Sequence, residues 1–254
     1  MDAAAGPGAA GAGLVDDVTS RLERRVCDLA HAFVASPYEF FSEHELHAEF
    51  YAACRQAFGR ATPREASAPV HLFRHEYNTI GRYRPSRETK RFDRRADLSG
   101  TERGGVGSLD FAILERSFVE AHDHLTVVNK DEPRRVRLRE WTKAEQRALA
   151  AGIEFKMWHA ARTMEPQSSD VGALTRGFIA DCRKLAHEQP RTSYAIAFTH
   201  GADAPPYARM LADGHAEFRE RFPSGDLRLA IIARDATHLR GDWRVRDFPN
   251  CRRD

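Results

Sequence analysis

Lysine is scarce in this 254-residue chain: five of its 39 basic residues are Lys, and the rest are Arg. Cysteine is scarcer still, and its four copies, Cys27, Cys54, Cys182 and Cys251, lie too far apart for a CxxC pair. That spacing argues against a zinc site or a disulfide scaffold and suits a reducing compartment, so a cytoplasmic location is expected. No run of about 18 apolar residues is present to span a bilayer. The opening MDAAAGPGAAGAG lacks the basic start and apolar block of a secretory signal, and residues 1–14 are expected to form a disordered tail. No GxxxxGK[ST], GxSxG or HExxH occurs, and the one GxGxxG, Gly6 to Gly11, follows no strand, which leaves dinucleotide, P-loop, serine-hydrolase and zincin readings without support. Net charge is almost absent too, at +2, so only its distribution bears on partners.

What is present is an ordinary globular composition, 42% hydrophobic and 30% charged, long enough to bury a large core. Val15, Val18, Leu22, Val26, Leu29 and Phe33 recur at helical spacing. Ser42 and Glu45 form a capping box that opens a second helix through about Phe58, with Leu46, Phe50, Ala53 and Ala57 as its buried stripe. Strands are expected at Val70–Thr79, Gly107–Glu115, Gly152–Met157, Tyr194–Phe198 and Leu227–Ala233. Between them fall helices at residues 170–188 and from about Pro205 to Phe222, and a short helix capped by Thr142 and Glu145. The polar stretch GRYRPSRETKRFDRRADLSGTERGG reads as a long loop. This order predicts a mixed α/β sheet with flanking helices in one domain, residues 15–254, with its core over about 42–233.

The chemistry sits in two strands. In GSLDFAILE, Asp110 is an acid inside an apolar strand, expected to share a face with Ala112 and Leu114 opposite Leu109, Phe111 and Ile113. In GIEFKM, Glu154 and Lys156 share one face and Ile153, Phe155 and Met157 the other. An ionised carboxylate in an apolar sheet is costly unless paired or bound to metal. If these strands are neighbours, Asp110, Glu154 and Lys156 meet, and two facing carboxylates suit a hard divalent cation such as Mg²⁺. Taken alone, Glu154 and Lys156 also read as an exposed ion pair of little energetic weight. Glu76 is a further acid that can face Asp110, and Glu49 a weaker candidate; Asp181 and Lys184 read as a helix-surface pair. His44, His47, His71, His75, His122, His124 and His159 are scattered without a ligand spacing, which favours structural or surface roles. Arg82, Arg84, Arg87, Lys90, Arg91, Arg94 and Arg95, interleaved with Tyr83 and Phe92, have the make-up of a phosphate-backbone contact. Arg134, Arg135, Arg137 and Arg139 form a second cluster.

Asp110 followed by Glu154-Phe155-Lys156 resembles the signature of the PD-(D/E)XK nuclease superfamily. The opening Ser42-Glu43-His44-Glu45-Leu46 is similar to the first helix of its Holliday-junction-resolvase branch, and Asp181-Cys182-Arg183-Lys184-Leu185 to the D-x-x-K-L helix common after the third strand. Leu109 stands where the motif's proline usually sits, and forty-three residues separate Asp110 from Glu154, which requires an insertion. The resemblance implies a restriction-endonuclease-like core and a Mg²⁺- or Mn²⁺-dependent endonuclease acting on DNA, or on RNA, as a possible homodimer. It implies Asp110, Glu154, Glu43 and Glu76 as metal ligands and Lys156 as the catalytic lysine; beside such a site, the clustered Arg87, Arg91, Arg94 and Arg95 are expected as the nucleic-acid contact. The rival expectation is a nuclease fold without catalysis that binds nucleic acid or a protein.

Overall fold

The structure is a computed structural model, which describes residues 9–40, 42–64, 68–85, 92–94, 105–121, 149–158, 168–200, 207–245 and 247–253. Two helices come first, α1 (Ala9–Ala35) and α2 (Glu43–Ala57). A small antiparallel pair follows, β1 (Arg60–Ala61) with β2 (Val70–His71). The chain continues through β3 (Phe73–Pro85), β4 (Phe92–Arg94), β5 (Gly105–Leu114), α3 (Arg116–Ala121) and β6 (Leu149–Trp158). It ends with α4 (Ser168–Glu188), β7 (Thr192–Thr199), α5 (Tyr207–Arg221), β8 (Asp226–Ala233), β9 (Thr237–Arg240) and β10 (Cys251–Arg253). Among the described residues, eight strands form one mixed sheet in the order β10-β9-β8-β7-β6-β5-β3-β4. β6, β7 and β8 run parallel, joined by α4 and α5, while β3, β4 and β5 are antiparallel to their neighbours. Among the described residues no helix is long and apolar enough to cross a membrane, and all four cysteines are unbridged.

Central parallel strands are covered on both faces, so they are apolar throughout. Every residue of β7 is buried, and seven of the eight in β8. On one face α4 and α5 bring Phe178, Cys182, Leu185, Leu211 and Phe218 onto the sheet. On the other, α1 and α2 close over a chain of aromatic rings. Phe50 lies 5.1 Å from Phe111 and 4.9 Å from Phe155, and Phe198 lies 5.3 Å from both Phe155 and Phe33. These edge-on and tilted rings add to plain area burial and make α2, β5, β6 and β7 one rigid block.

The structure corrects four expectations. Part of the arginine-rich stretch is strand, because β3 runs on to Pro85 and pairs with β4 as a hairpin, Tyr83 opposite Arg94. The buried stripe of α2 is Leu46, His47, Phe50 and Cys54, with Ala53 exposed, since the stripe steps by four from Phe50. α1 begins at Ala9, inside the stretch expected to be tail. Finally, strict alternation fails in β5: Phe111 and Ile113 join the core under α1 and α2, but Leu109 packs on the α4 side with Ala112 and Leu114. β3 inverts at the same level, with Phe73 on the first face and Tyr77 on the second. Glu76 between them has φ +48°, a left-handed conformation that re-aims the strand. The helix expected at Thr142, the second arginine cluster, and Arg87, Lys90, Arg91 and Arg95 lie outside the described residues.

Candidate metal centre

The inversion falls where β5 and β6 part. Their ladder pairs Ile113 with Ala151, Ala112 with Gly152 and Phe111 with Ile153, whereas β6 keeps pairing with β7 as far as Trp158. Alternate N–H groups of β6 point toward the same edge, so Phe155 and Met157 face the widening gap with donors to satisfy. Carboxylates satisfy them. Phe155 N–H donates to Asp110 Oδ2 at 2.7 Å, and Met157 N–H donates to Glu43 Oε2 at 3.0 Å.

Glu43 reaches the gap because of how α2 starts. Ser42 caps the helix and Glu45 returns a bond to the Ser42 N–H at 2.9 Å, so Glu45 is consumed by the cap. Glu43, in the first turn, is left to point at β6. Four residues on, and so on the same helix face, comes His47. Its imidazole is buried against Phe111 and Phe155, with ring centroids at 5.0 and 5.8 Å. His47 Nδ1 lies 3.4 Å from His75 Nε2, while His47 Nε2 is buried, makes no hydrogen bond, and sits 3.8 Å from Asp110 Oδ2. Burial lowers the His47 pKa against the pull of Asp110, which favours the neutral ring whose lone pair a metal needs. Glu43, His47 and Asp110 each bring one ligand atom to within 4.8 Å of the others.

On the α4 side, Glu154 and Lys156 meet a second pair. Asp181 and Lys184, expected on the helix surface, are buried at 6% and 9% exposure. Lys184 Nζ donates to Glu154 Oε2 at 2.6 Å and to the Ser108 carbonyl at 2.9 Å. Asp181 lies between the two ammoniums, 3.2 Å from Lys156 and 3.6 Å from Lys184. Lys156 also donates to the Phe155 carbonyl at 3.0 Å and stands 3.9 Å from Glu43 Oε1. Burial opposes its charge, but Asp181, Asp110, Glu154 and Glu43 together hold its pKa above the ordinary lysine range. Burial pushes the Glu154 carboxyl well up, and Lys184 opposes that. Burial likewise pushes the Glu43 carboxyl up, against the pull of Lys156.

The structure therefore brings Asp110, Glu154, Lys156 and Glu43 to one place but divides their partners. Glu154 is not among the three grouped ligand atoms; it is paired with Lys184. Glu76 and Glu49 are exposed and outside the group. Sequence reasoning favours a structural or surface role for His47 and a helix-surface pair for Asp181 and Lys184, although the D-x-x-K-L resemblance marks that pair. The Glu43-x-x-x-His47 spacing could have flagged the histidine; burial of the other two depends on α4 lying across β6. Comparison with protein-family models, curated proteins and solved structures gives no match.

Proposed function

We propose that this chain is a metal-dependent nuclease that hydrolyses phosphodiester bonds in DNA, built on a restriction-endonuclease-like core of the PD-(D/E)XK kind. The observation that carries the reading is the fork between β5 and β6, where Glu43, His47 and Asp110 group their ligand atoms within 4.8 Å beside Lys156. Two carboxylates and a neutral imidazole fit a divalent cation, and the buried, unbonded His47 Nε2 is the kind of group a metal satisfies. Oxygen donors suit Mg²⁺ and Mn²⁺ alike, and the nitrogen donor makes Mn²⁺ at least as good a fit. Held there, the ion would supply a nucleophilic water at neutral pH and charge stabilisation on the phosphate.

The chain's own residues supply the rest. Lys156 keeps its charge in a buried place, with Asp181 and the Phe155 carbonyl fixing its ammonium. That ammonium can orient the attacking water or take up charge developing on the phosphate, an interaction strongest in the transition state. The test is plasmid nicking in Mg²⁺ or Mn²⁺. Wild type nicks, and Asp110→Ala and Glu154→Ala do not. A wild-type protein that binds DNA but cuts neither DNA nor RNA in either ion overturns the catalytic reading in favour of a nuclease-fold binding module.

A further inference from the structure

Three carboxylates at this fork share one feature. Each has one oxygen taken by an N–H donor: Asp110 Oδ2 by the Phe155 amide at 2.7 Å, Glu43 Oε2 by the Met157 amide at 3.0 Å, and Glu154 Oε2 by Lys184 at 2.6 Å. For Asp110 and Glu43 the donor is the backbone of β6, which the sheet holds fixed. Glu154 sits on β6 itself and has no such amide to lean on; a side chain from α4 does the same work. Its second oxygen, Oε1, is buried and has no hydrogen-bond partner, in a residue only 1% exposed. An orphaned buried carboxylate oxygen is costly, and native proteins keep one only where something else satisfies it.

We propose that Lys184 is a positioning residue for the metal centre: by anchoring Glu154 Oε2, it presents Glu154 Oε1 as a further ligand beside Glu43, His47 and Asp110. The inference rests on the proposed metal-dependent activity and deepens it. Lys184 is itself well fixed, donating to the Ser108 carbonyl of β5 at 2.9 Å and facing Asp181 at 3.6 Å. It thus ties α4 to both strands of the fork, and the Glu154 rotamer is set by two elements at once. The two lysines then have different tasks. Lys156 faces Glu43 and the open gap; Lys184 faces inward and orients a ligand, as outer partners of metal-binding carboxylates do.

Electrostatics and positioning predict opposite signs, which makes the idea testable without any cleavage assay. Removing an ammonium beside a cation should tighten metal binding if Lys184 acts only through its charge. If it orients Glu154, Lys184→Met should weaken Mn²⁺ binding about 10- to 100-fold by calorimetric titration. Lys184→Arg, which keeps the charge and the donors, should recover most of that loss, and Glu154→Gln combined with Lys184→Met should be no worse than the weaker single variant. Mn²⁺ binding by Lys184→Met as tight as wild type, or tighter, overturns the proposal. If Lys184→Met does not fold, Glu154→Gln alone decides: unchanged Mn²⁺ affinity removes Glu154 as a ligand and the proposal with it. A wild type that binds no Mn²⁺ is a failure of the metal reading itself, distinct from these outcomes.

Discussion

At the residue scale the site is a contest between burial and charge, and each participant can be removed singly. Asp110 is the shared member, because it holds the Phe155 amide and also belongs to the group with Glu43 and His47. Binding to the native state alone stabilises it by mass action, by about 2.7 kcal/mol at a hundredfold excess over Kd. Mn²⁺ should therefore raise the melting temperature of the wild type, and Asp110→Ala should abolish the response while still melting cooperatively. An equal Mn²⁺-induced rise in both proteins would remove Asp110 from the centre. Lys156→Ala should do the reverse: it removes a positive charge next to the cation, so Mn²⁺ binds as well or slightly better. Cleavage should nevertheless fall about 10²- to 10³-fold, the loss typical of one transition-state donor. A time course in which Lys156→Ala nicks as fast as wild type would show the ammonium to be a structural ion-pair partner only. Asp110, Glu154 and Lys156 were legible in the sequence because charge inside an apolar strand is conspicuous. His47 was less so: its four-residue spacing from Glu43 was visible, but one histidine among twelve stands out only once that helix face is seen to meet β5 and β6. Lys184 was hidden for a different reason: a lysine three residues after an aspartate on a helix normally marks a solvated face.

Elements in this molecule are pinned by charges buried far from the fork. Glu23 of α1 is fully buried and pairs with Arg228 of β8, which is 4% exposed. Its other oxygen accepts from the Arg244 and Val245 amides at 2.7 and 3.2 Å, so α1, the sheet and the C-terminal segment meet at one carboxylate. Arg228 keeps Asp226 at 2.9 Å when Glu23 is removed, but its other nitrogen and the two amides lose their acceptor, at a cost toward the lower end of the about 3–5 kcal/mol of a broken buried pair. Glu23→Ala should show that loss in urea unfolding, whereas Glu23→Leu with Arg228→Met should recover much of it. If Glu23→Ala costs less than about 1 kcal/mol, the pair does not hold α1 in place. The strands most legible in the sequence were β7 and β8, where burial on both faces leaves uninterrupted apolar runs. β9 and β10 were not, because THLR and CRR are short and polar and are defined by their pairing with β8 and with each other. The inversion at Glu76 and Asp110 was illegible for a similar reason: alternation presumes φ below zero throughout, and the +48° at Glu76 breaks it. Glu76→Gly should therefore leave Mn²⁺ affinity unchanged, since Glu76 serves the backbone turn and its side chain is exposed.

Viewed whole, the protein sets an acidic fork and a basic hairpin on the same sheet. The fork lies where β5 leaves β6, and β5 is also the strand that pairs with β3, whose far end carries Arg82 and Arg84 into the hairpin with β4. Arg94 lies on β4, opposite Tyr83. The sheet thus runs continuously from the proposed metal centre to the arginine-rich segment, an arrangement suited to a polymer whose backbone is held at one place and cut at another. Phosphate contacts release counterions, so each one lost should lower the slope of log affinity against log salt by about 0.9 for duplex DNA. Replacing Arg87, Arg91, Arg94 and Arg95 with Ala should therefore flatten the slope by up to about 3.6 if all four touch phosphate. The same variant should weaken DNA binding at low salt and leave Mn²⁺ affinity at the fork untouched, which separates substrate capture from metal binding. Fluorescence anisotropy of a labelled duplex between roughly 50 and 200 mM salt, the range over which such contacts lose most of their strength, reads the slope directly. An unchanged slope would remove these four arginines from the proposed nucleic-acid contact.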